Sequence, residues 1–299
     1  MSLLEEIKSK EELADLLGVK LNKLTYLLWG QSLNNSYSIF TIKKKSGGNR
    51  NISAPNGLLK ILRYRLLSIL EEYYKSPSCT HGFVSKRSIV TNAKIHTDKK
   101  WVLNIDIKDF FPSINFGRVY GLFSHSIIGL PKDCAIVLAQ ICCFKNELPQ
   151  GSPTSPIVSN MICKKLDRQL KNYTRENNCS YTRYADDITI SGNQISPPSN
   201  IATFSRKKLV LSDTLVETIE SNGFALNEDK TRISFKENQQ EVTGLIVNKK
   251  VNVNRKFIRN LRAMLHNWNK KGLNNAEKDF RTVYNNPSSS FLETVKGKI

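Results

Sequence analysis

The chain has 299 residues, of which 39% are hydrophobic. That is enough for a sizeable core in two or three subdomains, and it excludes a disordered chain. Forty-five Lys and Arg against 26 Asp and Glu leave a net charge of +19, which suits a polyanionic partner; nucleic acid and an anionic membrane both qualify. No apolar run approaches 18 residues and no signal peptide is evident, so a cytoplasmic protein with no membrane partner is expected. The six Cys lack CxxC spacing and read as reduced core thiols; the four His are scattered, so no zinc site is expected.

Leu3 to Trp29 reads as helical, because Leu13, Leu16, Leu17, Leu24 and Leu28 recur at helical spacing and Gly18 breaks the run. Glu12 to Lys20 is similar to the front of a helix-turn-helix. That leaves a duplex-DNA contact or a small cap packed on the rest, and the cap is favoured. Tyr37 to Pro55 reads as a hairpin turning at Gly47-Gly48, with Lys43, Lys44, Lys45 and Arg50 crowding its tip. Leu58 to Tyr74 is predicted to be an amphipathic helix with Leu59, Leu62, Leu66 and Leu70 on one face. Arg63 and Arg65 fall off that face and are expected to be available to a nucleic-acid strand. Ser88 to His96 reads as a helix capped by Ser88, with Asn92 and His96 an i, i+4 pair of surface polars.

Trp101 to Ile107 reads as a buried strand that meets a carboxylate at Asp106. An acid inside a β-run is costly unless it is paired or holds a metal. Pro112 ends the strand, and Phe110 is expected in the core. Pro131 to Phe144 reads as an apolar helix. Leu148-Pro-Gln-Gly-Ser-Pro-Thr-Ser-Pro156 is a stiff loop in which Gly151 permits close approach. Thr154 or Ser155 is expected to cap a helix that runs to about Tyr173.

Tyr181 to Tyr184 and Ile188 to Ser191 have the composition of two strands around a tight turn, and Asp186 and Asp187 sit at that turn. Asp favours turns on its own account, which would explain an isolated pair. With the Asp106 strand laid beside the hairpin, however, three carboxylates converge. That is the ligand set of a two-metal phosphoryl-transfer site, holding two Mg²⁺.

Ser196-Pro-Pro-Ser199 marks a loop, Phe204 to Ser221 is predicted to be a helix, and Gly223 ends it. Glu241 to Val247 and Lys250 to Val253 are expected to form a small hairpin. From Asn248 onward twelve Lys or Arg stand against three acidic residues. There Phe257, Leu261, Met264, Leu265 and Trp268 share one helical face, and Arg255, Arg259 and Arg262 share the other, which can meet phosphates.

Asp106 with Phe111 five residues on, the LPQGSPTSP loop and Tyr184-Ala-Asp-Asp187, in this order, resemble a reverse transcriptase. Asn92-Ala-Lys-Ile-His96 and Val242-Thr-Gly244 resemble the NAxxH and VTG signatures of the retron branch. The resemblance covers about residues 40 to 250. It implies an α+β, right-hand polymerase fold: fingers, palm and thumb, with an antiparallel palm sheet flanked by helices. Its expected divisions are an N-terminal helical extension (1–36), fingers (37–100), palm (101–247, with a fingers portion near 113–150) and thumb (248–299).

Residue by residue, the resemblance implies that Asp106, Asp186 and Asp187 are catalytic and bind metal together with the Ile107 carbonyl. It places Arg50, Phe111, Gln150 and Lys230 at the incoming deoxynucleoside triphosphate. Phe111 would lie under the sugar and Lys230 near the departing pyrophosphate. Asn92, His96, Val242, Thr243, Gly244, Arg255, Arg259 and Arg262 would contact RNA. The implied partners are a cognate structured non-coding RNA, its cDNA product and a separate effector protein. The implied reaction is reverse transcription primed from an RNA 2′-hydroxyl, giving a branched RNA–DNA hybrid used against phage. A polymerase of another lineage, such as a group II intron enzyme, and a non-catalytic RNA binder on a polymerase scaffold are the alternatives.

Overall fold

The computed structural model describes residues 4–30, 33–43, 47–125, 128–205, 208–284 and 290–299. Two short helices open it, α1 (Lys10–Leu16) and α2 (Leu21–Trp29). The Ser9 side chain caps α1 by accepting the Glu12 N–H. Leu13, Leu17, Leu24 and Leu28 are buried in the main core, so these helices pack as a cap on the rest.

Strands β1 (Tyr37–Lys43) and β2 (Asn49–Pro55) form the expected hairpin, with Ile42 opposite Arg50. Lys44 and Lys45 of its tip lie outside the described residues. Helix α3 (Gly57–Tyr73) buries Leu59, Leu62, Leu66 and Leu70. Of the two arginines expected to be available from α3, Arg63 is not, while Arg65 stays exposed. Arg63 is fully buried, donating to Ile141 O at 2.6 Å and to the Tyr37 hydroxyl. Arg65 donates to Leu17 O (2.6 Å) and Gly18 O (2.7 Å), tying the α1–α2 turn to α3. The helix is packed on more than its leucine face, and the Arg63 guanidinium satisfies a carbonyl buried there.

Helix α4 (Ile89–Ile95) starts at a capping box formed by Ser88 and Thr91. Strand β3 (Trp101–Lys108) follows, then α5 (Phe116–His125) and α6 (Lys132–Cys142). The helix expected to run to about Tyr173 is two, α7 (Ser155–Ile162) and α8 (Lys164–Glu176), joined at Cys163.

Strands β4 (Cys179–Tyr184) and β5 (Asp187–Gly192) form the predicted hairpin. Beyond it, the single helix expected from Phe204 is replaced by a hairpin, β6 (Ala202–Ser205) and β7 (Lys208–Leu211), and a shorter helix, α9 (Asp213–Ser221). The Ser212 hydroxyl accepts the Leu215 N–H, so the helix starts where a capping side chain stands. Leu209, Val210 and Leu211 before it suit a strand.

Strand β8 (Ala225–Phe235) completes a four-stranded antiparallel sheet in the order β4-β5-β3-β8, with β3 inside. The protein is therefore a mixed α+β fold with antiparallel sheets. Strands β9 (Glu241–Val242) and β10 (Leu245–Ile246) pair around a two-residue turn, and Asn252 bridges to Ile246. The hairpin is thus tighter than the expected pairing of 241–247 with 250–253, because Thr243 (φ 47°) and Gly244 (φ 82°) both adopt the left-handed form such a turn needs.

Helix α10 (Arg255–Tyr284) is interrupted at Gly272, and α11 (Phe291–Lys296) packs against it. Met264, Ala276, Phe280, Phe291 and Val295 make a separate small core, with Leu261 and Trp268 against it. Phe257 and Leu265, expected on the packed face, are exposed instead. Among the described residues, no helix is long and apolar enough to cross a membrane.

Candidate active site

Asp106 of β3 and Asp187 of β5 are direct cross-strand partners, so their side chains leave the sheet on one side. Tyr184 pairs with Asp187, leaving Ala185 and Asp186 as a two-residue loop. The Ile107 N–H donates to Asp186 O at 3.0 Å and stitches this loop to β3. Two distant parts of the sequence, carrying three aspartates, thus meet at one end of the sheet.

The loop is held from behind. Ala185 has φ 56°, a conformation costly for a residue with a Cβ. Arg183 Nη1 donates to Ala185 O at 3.0 Å. Arg183 is fully buried and bidentate to Asp167 of α8 (Nε–Oδ1 2.8 Å, Nη2–Oδ2 2.7 Å). The remaining capacity of Asp167 is taken by the Tyr181 hydroxyl (2.8 Å) and the Thr80 hydroxyl (2.7 Å). Asn160 accepts from Arg183 and donates to Gly82 O at 2.9 Å. At Gly82 a Cβ would lie 2.4 Å from Ala185 N, so only glycine lets this segment approach the loop.

Electrostatics at the site are those of crowded carboxylates. Burial, then repulsion from Asp186 and Asp106, pushes Asp187 up to about 6. The residue as a whole remains exposed, although protein atoms crowd its carboxyl group. Burial and repulsion from Asp106 also raise Asp186, while Lys230 and Arg50 pull it back. Arg50, on the β1–β2 hairpin, therefore acts on the same charge as residues of the four-stranded sheet.

Lys230 comes from a large bulge in β8. Asn104 pairs with Arg232 and Asp106 with Asn227, so residues 228–231 all stand opposite Ile105. The bulge sets Lys230 Nζ 3.0 and 3.2 Å from the two oxygens of Asp106, and Asn227 Nδ2 donates to the same carboxylate at 2.8 Å.

These donors are hard oxygens under mutual repulsion, which suits Mg²⁺. The side chains do not, however, form a closed ligand cluster: among the described residues no three His, Cys, Asp or Glu come together to hold a metal ion. Asp106 faces Asp187 across the ladder with Asp186 beside them, and the Lys230 ammonium lies against Asp106.

Other expected site residues divide clearly. Phe110 is buried, stacked on Phe224, while Phe111 is half-buried beside the exposed Phe83. Gln150 presents a half-buried side chain, and its carbonyl accepts the Ser53 N–H at 2.8 Å. Gly151 lies against β2, where a Cβ would be 2.6 Å from Ile52 Cγ2, so the close approach is to the hairpin. Arg255, Arg259 and Arg262 are exposed along the first part of α10.

Two expected surface contacts are corrected. Asn92 and His96 are both fully buried. His96 bonds to Ser191 and Thr182, and neither residue can reach RNA in this structure. Helix α4 turns that face onto the sheet, and seven residues are too few to show an apolar stripe. Val242 is also buried, against Ala93 and Val102, whereas Thr243 and Gly244 reach the surface. They border a cleft of about 350 Å³ that also touches Asp106, Asp187, Lys230 and Arg232.

The sequence reading missed Arg183, Asp167, Asn160 and Asn227. One signal was present: an Arg inside a β-run needs a partner for the same reason that Asp106 does.

Residues 42–248 match the family described as reverse transcriptase (RNA-dependent DNA polymerase). The chain is 35% identical over 295 residues to the retron Mx162 reverse transcriptase of Myxococcus xanthus, covering 90% of this chain and 60% of that enzyme. It is 40% identical over 235 residues to the retron Ec86 reverse transcriptase of Escherichia coli, covering 77% and 69%. The retron Mx65 reverse transcriptase of Myxococcus xanthus is 33% identical over 279 residues, covering 87% and 62%. The chain thus spans roughly three-fifths to two-thirds of the length of these relatives. With its aspartates facing across β3 and β5 and the matched family spanning that whole sheet, the chain belongs to the reverse transcriptase family, in its retron branch.

Proposed function

We propose that this chain is an RNA-directed DNA polymerase of right-hand architecture, copying a structured non-coding RNA with deoxynucleoside triphosphates. The observation that carries this reading is the register of Asp106 against Asp187, with Asp186 beside them. In this reading the four-stranded sheet is the palm, the β1–β2 hairpin belongs to the fingers, and α10 and α11 are the thumb.

Asp106, Asp186 and Asp187, with the Ile107 carbonyl, would hold two Mg²⁺. Bound there, the ions supply charge that acidifies the attacking hydroxyl and stabilises pyrophosphate as it departs. The primer hydroxyl oxygen bonds to the α-phosphorus, the bond from that phosphorus to the bridging oxygen breaks, and pyrophosphate leaves. Arg50 grips the triphosphate with a guanidinium fork, and Gln150 contacts the nucleotide. Phe111 places a flat ring under the sugar, which disfavours a 2′-hydroxyl. Lys230 leaves Asp106 for the triphosphate and neutralises or protonates the leaving group. Thr243, Gly244, Arg255, Arg259 and Arg262 hold the RNA.

Membership of the retron branch supports the finer reading. The template is then a cognate RNA, its own 2′-hydroxyl is the first primer, and the branched RNA–DNA product serves phage defence with an effector protein. The test is incubation with the RNA that copurifies, deoxynucleotides and Mg²⁺, without added primer. DNA joined to RNA is expected, and Asp186→Asn/Asp187→Asn should abolish it while RNA binding persists. Full synthesis by the double variant would sink the catalytic assignment.

A further inference from the structure

We propose that His96 is a positioning residue for nucleotidyl transfer: bridging Thr182 and Ser191, it sets the hairpin that carries Asp186 and Asp187 and couples it through α4 to the Thr243–Gly244 turn. The proposal rests on the polymerase reading above.

His96 follows the last residue of α4 and is wholly enclosed. Its Nδ1 lies 2.7 Å from Ser191 Oγ on β5, and its Nε2 lies 2.8 Å from Thr182 Oγ1 on β4. Both hydroxyl residues are themselves buried. A neutral imidazole has one donor and one acceptor nitrogen, and each hydroxyl can answer in either sense, so the ring is satisfied at both ends. Burial holds the ring neutral, with Lys99 and His81 nearby acting in the same direction.

The two partners lie diagonally across the β4–β5 ladder, where Thr182 pairs with Thr189 and Ser180 with Ser191. One ring therefore fixes both strands. Successive residues of a strand point to opposite faces. Tyr181 and Arg183 bind Asp167 on one face, and Thr182 binds His96 on the other. The catalytic hairpin is clamped from two sides.

The same helix also touches the other wall of the cleft. Ala93 packs with Val242, Leu245 and Val247, and the Thr243 hydroxyl leans toward Ile89 O at 3.4 Å. Ile89, Asp106, Asp187, Thr243 and Gly244 border one cleft. The placement of α4 thus sets the aspartates and the Thr243–Gly244 turn relative to each other. A displacement near 1 Å between reacting groups costs on the order of 10²-fold in rate.

The test compares His96→Ala, His96→Gln and Leu13→Ala, the last a buried residue of the N-terminal cap. Extension kinetics are measured where circular dichroism shows each variant folded. His96→Ala should lower kcat by about 10- to 100-fold while the nucleotide KM stays within about twofold. His96→Gln, with one donor and one acceptor, should recover most of the loss. Leu13→Ala should match the drop in melting temperature yet keep wild-type kcat. Should His96→Ala fail to fold, Thr182→Val and Ser191→Ala take its place, and each should lower kcat in the same way. Wild-type kcat in folded His96→Ala, or in both hydroxyl variants, overturns the proposal, as does an equal kcat loss in Leu13→Ala. An inactive wild-type chain overturns the polymerase reading itself, and this proposal with it.

Discussion

Lys230 holds Asp106 through both carboxylate oxygens, at 3.0 and 3.2 Å, from a bulge in the neighbouring strand. Lys230 is mostly exposed and Asp106 mostly covered, so the pair is an exposed cation set against a covered anion. Such an arrangement can exchange one cation for another without rebuilding the sheet.

That exchange has a measurable consequence. Lys230→Met should tighten Mn²⁺ binding to the nucleotide-free protein severalfold, read by electron paramagnetic resonance titration. It should also lower kcat by about 10²-fold, the usual scale for losing a positioned proton donor. Unchanged Mn²⁺ affinity would show that Lys230 does not compete for Asp106.

The repulsion among the aspartates predicts a trade between stability and activity. Asp187 is pushed up to about 6 by burial and its neighbours, so its charge opposes folding at neutral pH. Asp187→Asn should raise the melting temperature by a few degrees while abolishing synthesis. A lower melting temperature would count against a strained site. The sign also fixes the pH dependence: a carboxylate raised in the folded state releases this penalty as pH falls through 6 toward the ordinary range near 4.

Arg183 and Asp167 should be intolerant of single changes. Removing one partner leaves a buried, uncompensated charge, which costs about 3–5 kcal/mol. Arg183→Met is therefore expected to lose that much in urea unfolding, and Arg183→Lys to lose part of it, because a single ammonium cannot make the bidentate contact. A cost under 1 kcal/mol would remove this pair from the account of how the Ala185–Asp186 loop is held.

His96 carries the opposite pH signature from Asp187. Burial drives it down to about 3 from an ordinary 6.5. The unfolded chain gains a proton below 6.5 and the folded one does not. Stability is complete above pH 6.5 and declines between 6.5 and 3, by up to about 1.4 kcal/mol per pH unit. His96→Gln should flatten that acid limb in melting curves recorded from pH 7 to 4.

The basic face of α10 predicts a salt effect. Replacing Arg255, Arg259 and Arg262 with Gln should weaken RNA binding for all sequences alike. The slope of log K against log salt should flatten by about two, at roughly 0.7 for each single-strand phosphate that an arginine neutralises. An unaltered slope would place the RNA elsewhere.

The sequence alone carried the three aspartates, the Tyr37–Pro55 and Tyr181–Ser191 hairpins and the basic terminal helix. Each rests on local signals: turn residues at fixed spacing, alternating or helical apolar patterns, and acids in a β-run that demand compensation. The tertiary structure alone decided who supplies that compensation. Lys230 reaches Asp106 only through a bulge that no local pattern announces. Arg183 finds Asp167 on a helix sixteen residues earlier in the chain. Asn92 and His96 look like a solvated polar pair on a short helix, yet they lie inside, because burial depends on which surface the helix meets. Local propensity sets which elements form, and the contacts between distant elements set what each side chain can do.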